Sequence, residues 1–338
     1  MQKAYGLGDA EKRKLAYLYH HSGITNRYSV LGDYSLPESA WTFLRPGEEP
    51  VPDLESRMEV YKKEALPLSL KAIKACIGPH FPATAITHLI TVSCTGMSAP
   101  GLDLEIQEAL NLSGDIFRTA VNFMGCYAAI HGLKLAKLIC DSEPGAFVLV
   151  VATELCTIHF QQHYSMDNAS SSLLFGDGSA AVLLSGSSGA SPGITLDHFY
   201  AKVSGKGKKD MAWELGSKGF LMTLSGYIPQ LIEEDIVSLA ENALRVNGLK
   251  PADITSWCVH PGGRKILDTV QKKLGLSDAG IQQSRDVLKN YGNMSSPTIL
   301  FVLKEIIEKA KNQQTPAKIF GLAFGPGLTM ETFIATIP

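Results

Sequence analysis

The sequence predicts a layered α/β architecture with one sheet in each half of the chain, and three observations predict it. Apolar runs of strand length alternate with segments of helical period. Two of those runs, 86–93 (ITHLITVS) and 146–155 (AFVLVVATEL), are nearly continuous in apolar residues, as strands covered on both faces are. A Gly/Ser/Pro break, GSSGASPG at 186–193, separates two stretches with the same alternation.

Taken in order, 86–93 reads as a strand. The stretch CYAAIHGLKLAKLIC after NFMG reads as a buried helix, with Ala129, Ile130, Leu133, Ala136, Leu138 and Ile139 as a broad apolar stripe. Runs 146–155 and 179–185 (SAAVLLS) read as strands, and the break then divides the chain into halves 1–190 and 191–338. In the second half ITLDHFYAKV reads as a strand. From about Pro229 to Val246, residues Ile232, Ile236, Leu239, Ala243 and Leu244 form one helical face that stops at Asn247-Gly248. A short strand SWCVH follows, then helices around ILDTVQKKLG and PTILFVLKEIIEKAK, and two closing strands, KIFGLAF and LTMETFIATI.

Composition narrows the function classes. The 338 residues carry 31 Lys+Arg against 33 Asp+Glu, a net charge of −2, with 45% hydrophobic and 19% charged residues, which is a globular balance. A chain of this length buries about three-quarters of its unfolded surface. No block of like charge offers a footprint for nucleic acid or anionic lipid, and Lys206, Lys208 and Lys209 read as a solvated loop. The absence of an 18-residue apolar run, and a start (MQKAYGLGDAEKRK) without a secretory apolar region, set the expectation of a soluble cytoplasmic protein with no membrane partner. Six cysteines without a Cys-x-x-Cys pair argue against a zinc site, and a reducing compartment would keep them as thiols.

Three residues carry candidate chemistry. Cys126 follows a strand-like lead and Gly125 and comes just before a helix, where dipole and free N–H groups would lower a thiol pKa. His260, in WCVHPGG, ends a short buried strand, the edge where open α/β sheets keep their chemistry. Asn293, in NYGNMSSPT, lies in a loop ahead of a helix. Singly, each has a plainer reading: inert buried thiol, satisfied core histidine, helix cap. Together they supply a nucleophile, an imidazole to pair with it and an amide donor for an oxyanion, the parts of activated-nucleophile acyl transfer. Two glycine-rich loops, FGDGSAA (175–181) and AFGPG (323–327, with Gly325), lack the pattern of calcium or phosphate loops and read as close backbone approaches to a pocket or as tight turns.

These motifs, GCYAA at Cys126, LFGDGSA at Phe175, VHPGG at His260, YGNMSS at Asn293 and FGPGLTMET after Phe324, resemble in order and spacing the signature set of type III polyketide synthases, the chalcone synthase superfamily, and SCTG around Cys94 looks more like its bacterial members. The resemblance runs from about residue 12 to the end. It implies a thiolase-type αβαβα sandwich of two duplicated halves, a homodimer, and iterative decarboxylative condensation of malonyl-CoA onto an acyl-CoA starter, then cyclisation to a pyrone, resorcinol or related product. By motif, Cys126 is the nucleophile and carrier, and His260 and Asn293 polarise the malonyl thioester. Coenzyme A thioesters are substrates, and no metal or redox cofactor is implied. Phe175 matches one gatekeeper, and Met222 stands at the other. Cys94, Cys156, His159, Trp213 and Ser295 fall on cavity-lining positions, with Cys94 expected to be structural. Lys14 matches a basic residue near the CoA phosphates, whereas Tyr17 and His21 replace two others and Ala99 replaces a methionine that reaches the partner. A first strand found in most relatives is absent before Lys12, so either the start is trimmed or misassigned, or another element fills that sheet edge.

Three rival readings follow from the same residues. A ketoacyl-ACP synthase III shares the Cys-His-Asn set but condenses once on a carrier protein, and a catalytically inactive partner subunit shares the fold. A papain-type cysteine hydrolase shares only the order Cys, His, Asn, and its nucleophile belongs near a mature N-terminus in a disulfide-bearing chain.

Overall fold

The computed structural model describes residues 4–45, 51–186 and 193–338. The first half opens with α1 (Asp9–His21) and α2 (Leu54–Ile77). There follow β1 (His88–Ser93), α3 (Leu102–Ala109), β2 (Phe117–Asn122), α4 (Ala128–Ser142), β3 (Phe147–Leu155), α5 (Met166–Leu174) and β4 (Asp177–Ser185). The second half holds β5 (Thr195–Val203), a hairpin of β6 (Met211–Gly216) and β7 (Gly219–Leu224), α6 (Ile228–Arg245) and β8 (Ser256–Val259). It closes with α7 (Arg264–Leu274), α8 (Asp278–Tyr291), α9 (Thr298–Gln313), β9 (Ala317–Gly325) and β10 (Thr329–Ile337). The 190/191 boundary, with most of GSSGASPG, lies outside the described residues.

Apart from the separate β6–β7 hairpin, the strands form one sheet in each half. In the first, ordered β2-β1-β3-β4, β1 runs parallel to β2 and β3, and β4 is antiparallel to β3. In the second, ordered β5-β10-β9-β8, β8 is parallel to β9, and β10 is antiparallel to both neighbours. The shared unit is a parallel pair followed by an antiparallel strand, β1-β3-β4 against β8-β9-β10. Beyond that unit β5 pairs with β10, while β4 has no strand on its outer side among the described residues. Helix α2 packs along β4, and the Cys76 sulfur on α2 accepts the Leu183 backbone N–H. One backbone N–H of that edge, on Leu183, is thus met by a side chain of α2.

Five layers result. Helices α2 and α3 cover the outer face of the first sheet, through Tyr61, Ile73, Leu89, Ile106 and Leu149. Helices α4 and α9 lie between the sheets, where Ile130, Leu133, Ile299 and Val302 pack against Val92, Val150, Ile319 and Phe333. Helices α6, α7 and α8 cover the far face of the second sheet through Ile232, Leu239, Leu267 and Ile281. The αβαβα expectation is met. Helix α4 buries Ala128, Ala129, Ile130, Gly132, Leu133, Ala136 and Cys140. Leu138, placed on that stripe by the sequence reading, is 58% exposed instead, because a helix apolar around most of its girth does not announce which side faces out.

Candidate active site

The sheets and central helices deliver side chains from both halves to one chamber. Its lining includes Cys94, Cys126, Cys156, His159, Phe175, Trp213, Met222, His260, Asn293 and Ser295, ten of the twelve residues singled out from sequence. Gly325 and Lys14 are not among them. Gly325 serves the chamber indirectly, since a Cβ there would run into the Tyr127 ring, so the glycine lets β9 press against the turn that carries Cys126, and its neighbours Phe324 and Pro326 form the wall. Lys14 is exposed on α1, which packs on α5, and α5 lines the chamber with Asn168, Ser171 and Ser172.

Cys126 sits on the turn between β2 and α4. Gly125 adopts φ +81, and a Cβ at this position would strike the Pro326 ring, so both the backbone conformation and the space require glycine. The helix starts at Ala128 with Tyr127 as N-cap, which leaves Cys126 one residue outside the cap. Burial then decides the outcome and pushes the Cys126 thiol up to about 11. Ser295 and Asn293 side chains hydrogen-bond to the sulfur and oppose that rise without cancelling it. Burial thus works against the lowering expected from the helix position. His260 follows β8, 1% exposed, its backbone N–H bound to the Leu322 carbonyl at 2.8 Å. Among the described residues neither ring nitrogen has a protein partner, and burial alone holds the imidazole down at about 3. Burial favours the uncharged form of both Cys126 and His260, and both ring nitrogens of His260 are unspent among the described residues.

Asn293 precedes α9. Its backbone is gripped by the segment ending α5, with Asn293 N–H donating to Leu174 O at 3.0 Å and Gly176 N–H to Asn293 O at 2.9 Å. Its side-chain oxygen accepts the Ser295 backbone N–H at 2.8 Å. That assignment leaves the amide NH₂ as the end that faces the chamber and the Cys126 sulfur. Thr298, fully buried at the start of α9, accepts the Met294 N–H at 2.8 Å and stiffens the same turn.

The opposite wall is the β6–β7 hairpin, where Trp213 and Met222 are directly paired across the strands. The Trp213 indole donates to the Cys94 carbonyl at 2.6 Å and meets the His159 ring edge-on, while Phe220 stacks on His159 at 4.3 Å. His159 Nε2 lies 2.7 Å from the Thr95 carbonyl and Nδ1 accepts the Phe220 N–H at 3.1 Å, so both nitrogens are spent in one neutral tautomer. Burial accordingly holds its pKa at about 3. His159 lines the chamber but offers it no free polar atom. Cys94 is equally committed: its sulfur accepts the Gly125 N–H at 3.0 Å and its own N–H donates to Glu154 Oε2 at 2.8 Å.

Glu154 is the residue that sequence reasoning missed. It is fully buried at the end of β3, accepting from Cys94 N–H and Thr95 Oγ1 in its own half and from Ser296 Oγ, at 2.7 Å, in the other. Burial raises its pKa to about 6. A single carboxylate inside AFVLVVATEL was the available signal. Among the described residues no group of three His, Cys, Asp or Glu side chains could hold a metal ion, and no helix is long and apolar enough to cross a membrane.

Comparison with known proteins places this geometry in context. Residues 7–189 match the N-terminal domain, and 196–338 the C-terminal domain, of chalcone and stilbene synthases. The chain is 31% identical over 336 residues to the alpha-pyrone synthesis polyketide synthase-like Pks18 of Mycobacterium tuberculosis, covering 98% of this chain and 84% of that one. It is 31% identical over 332 residues to type III polyketide synthase A of Arabidopsis thaliana, covering 95% and 82%. The crystal structure of PKS-I from the brown alga Ectocarpus siliculosus superposes with a TM-score of 0.91 at 30% identity, over 100% of this chain and 92% of that one.

Proposed function

This chain belongs to the chalcone and stilbene synthase family and is a type III polyketide synthase, a condensing acyltransferase of thiolase-type fold, and on that premise we propose that Cys126, His260 and Asn293 carry its chemistry. The family uses acyl-CoA and malonyl-CoA. In the proposed first step His260 takes the Cys126 thiol proton as the sulfur attacks the starter thioester, and the imidazolium returns that proton to the departing CoA sulfur. In the second, malonyl-CoA loses CO₂, and the electron pair left behind is held as an enolate whose oxygen accepts from His260 and from the Asn293 NH₂. The enolate carbon then attacks the acyl group on Cys126, forming the new C–C bond and releasing the sulfur for the next round.

The observation that carries this reading is the convergence of three groups in one chamber: an imidazole with no partner on either nitrogen among the described residues, and an amide whose oxygen is tied to Ser295 N–H while its NH₂ faces the Cys126 sulfur. The chamber walls are chiefly apolar side chains, which suits an enolate that must not meet water. Phe175 and Met222 are proposed as the gate, Cys94, Cys156, His159, Trp213 and Ser295 as walls, and Lys14 with the outer face of α1 as a CoA contact. Gly325 takes a supporting rather than a substrate-binding role. No resident metal or redox cofactor enters the proposed sequence. The halves are proposed as 1–190 and 191–338. A homodimer is supported by β2, an edge strand whose Phe117 is 71% exposed, and a reducing cytoplasmic setting by six free cysteines.

Purified protein given malonyl-CoA and a panel of acyl-CoA starters, with products read by mass spectrometry, tests the reading. Multiply extended, cyclised products that require no carrier protein are expected, and strict dependence on malonyl-ACP would overturn it.

A further inference from the structure

Arg27 lies outside every sequence motif and does not line the chamber, yet it touches the segment that grips Asn293. Its guanidinium Nη1 donates to the carbonyl oxygens of Ser172 and of Phe175, the latter at 2.7 Å. Ser172 lies in the last turn of α5 and Phe175 is its C-cap, where a helix leaves acceptors unsatisfied and carries its negative dipole end. Among the described residues no carboxylate comes within ion-pair distance of Arg27; besides these carbonyls, its Nη2 donates to the Tyr19 hydroxyl at 3.4 Å, and its charge acts on the buried Asp177 carboxyl. The aliphatic stem of Arg27 covers Gly292, where a Cβ would come within 2.8 Å of Arg27 Cγ. The backbone just before it is tied to the end of α8, with Thr25 N–H and Asn26 N–H both donating to the Lys289 carbonyl, at 2.7 and 3.0 Å. Just after it, the Tyr28 carbonyl accepts the Asp177 N–H at 2.8 Å. Arg27 thus lies against one side of the short parallel bridge that joins Phe175 to Asn293, touching both its Gly176 and its Gly292 flank.

We propose that Arg27 is a positioning residue for the decarboxylation step, its guanidinium fixing the end of α5 so that Leu174 and Gly176 hold Asn293 with its amide NH₂ aimed into the chamber. The role rests on the reading of Asn293 as the enolate-oxygen donor. It is selective by construction, because the Cys126 turn is held by Cys94 and Pro326 and not by Arg27. Removing the fork should loosen Asn293 and Phe175 while leaving the nucleophile competent. A displacement on the order of 1 Å of a positioned group costs about 10²-fold.

The experiment compares two rates in the same preparation, malonyl-CoA decarboxylation to acetyl-CoA and iodoacetamide alkylation of Cys126, for wild type, Arg27→Met, Arg27→Lys and Asn293→Ala. Arg27→Met should decarboxylate about 10- to 100-fold more slowly with alkylation within about threefold of wild type. Arg27→Lys, which keeps the charge but not the planar fork, should lose about 3- to 10-fold and carries the same comparison where the methionine variant does not fold. Decarboxylation within about twofold of wild type in both variants, or equal losses of the two rates, would overturn the role of Arg27. If Asn293→Ala itself decarboxylates at the wild-type rate, the fault lies in the donor reading on which this proposal rests.

Discussion

The side-chain oxygen of Asn293 accepts the backbone N–H of Ser295 at 2.8 Å, and Ser295 holds φ +59 in the turn that makes this bond. A left-handed serine, 6% exposed, is a strained choice that persists only where its surroundings over-determine it. Here the surroundings are the Thr298 hydroxyl and the Leu174–Gly176 clamp. The strain fixes which end of the amide faces the chamber. Asn293→Ala should therefore slow malonyl-CoA decarboxylation by about 10²–10³, the cost of one oxyanion donor. A loss below tenfold in a direct assay of acetyl-CoA release would make Asn293 a structural residue.

Cys126→Ala removes the acyl carrier but neither enolate-oxygen donor. Product mass spectrometry should find no chain extension, while acetyl-CoA still accumulates from malonyl-CoA. Extension by this variant would disprove the nucleophile assignment.

Gly125→Ala tests the turn itself. The new Cβ meets the Pro326 ring at a residue held at φ +81, so the variant combines left-handed strain with overpacking and should lose about 2 kcal/mol in urea unfolding. Cys126 alkylation should slow with it, and an unchanged urea midpoint would show that the turn can relax away from Pro326.

His260 gives a pH signature. Its folded pKa, held at about 3 by burial, lies below the unfolded value near 6.5, so the unfolded chain binds the extra proton. Its contribution to stability is complete above the unfolded value and is lost as pH falls from there toward 3, at about 1.4 kcal/mol per pH unit. His260→Gln abolishes that term. The stability gap between wild type and variant should narrow by this slope between pH 6.5 and 4.5, and parallel urea midpoints at pH 7, 6 and 5 would contradict it.

Met222→Phe fills the flexible side of the gate with a rigid ring opposite Trp213. Starter preference should shift across an acyl-CoA panel, and an unaltered product profile would remove Met222 from the passage.

What the sequence made legible follows from what burial does to a pattern. Strands β1 and β3 are covered on both faces and show as continuous apolar runs, and Cys126, His260 and Asn293 stand beside glycines whose geometry they need. Helix α2 escaped notice because its buried stripe includes Arg57 and Ser69 and its course contains Pro67, so polar residues interrupt the periodicity. Arg57 is tolerated there by the Ile158 and Pro52 carbonyls and by the Phe43 ring, partners far from it in sequence or without a motif. The β6–β7 hairpin was missed for the opposite reason: its alternation is short, and half of it faces solvent. The resting state of Cys126 could not be read from helix position, since burial outweighs a dipole that begins two residues later.

The β6–β7 hairpin also separates what this protein makes from how it makes it. It supplies Trp213, Phe220 and Met222 to the chamber, is fastened to the floor through the indole bond to Cys94 and through His159, and forms a sheet of its own, hydrogen-bonded to neither catalytic sheet. Residues 211–224 can thus be treated as an interchangeable cassette. Grafting the corresponding ribbon from a relative would recast the mould in which the nascent chain curls, provided the graft keeps the indole bond to the Cys94 carbonyl, because the Cys94 sulfur holds the Gly125 N–H beside the nucleophile.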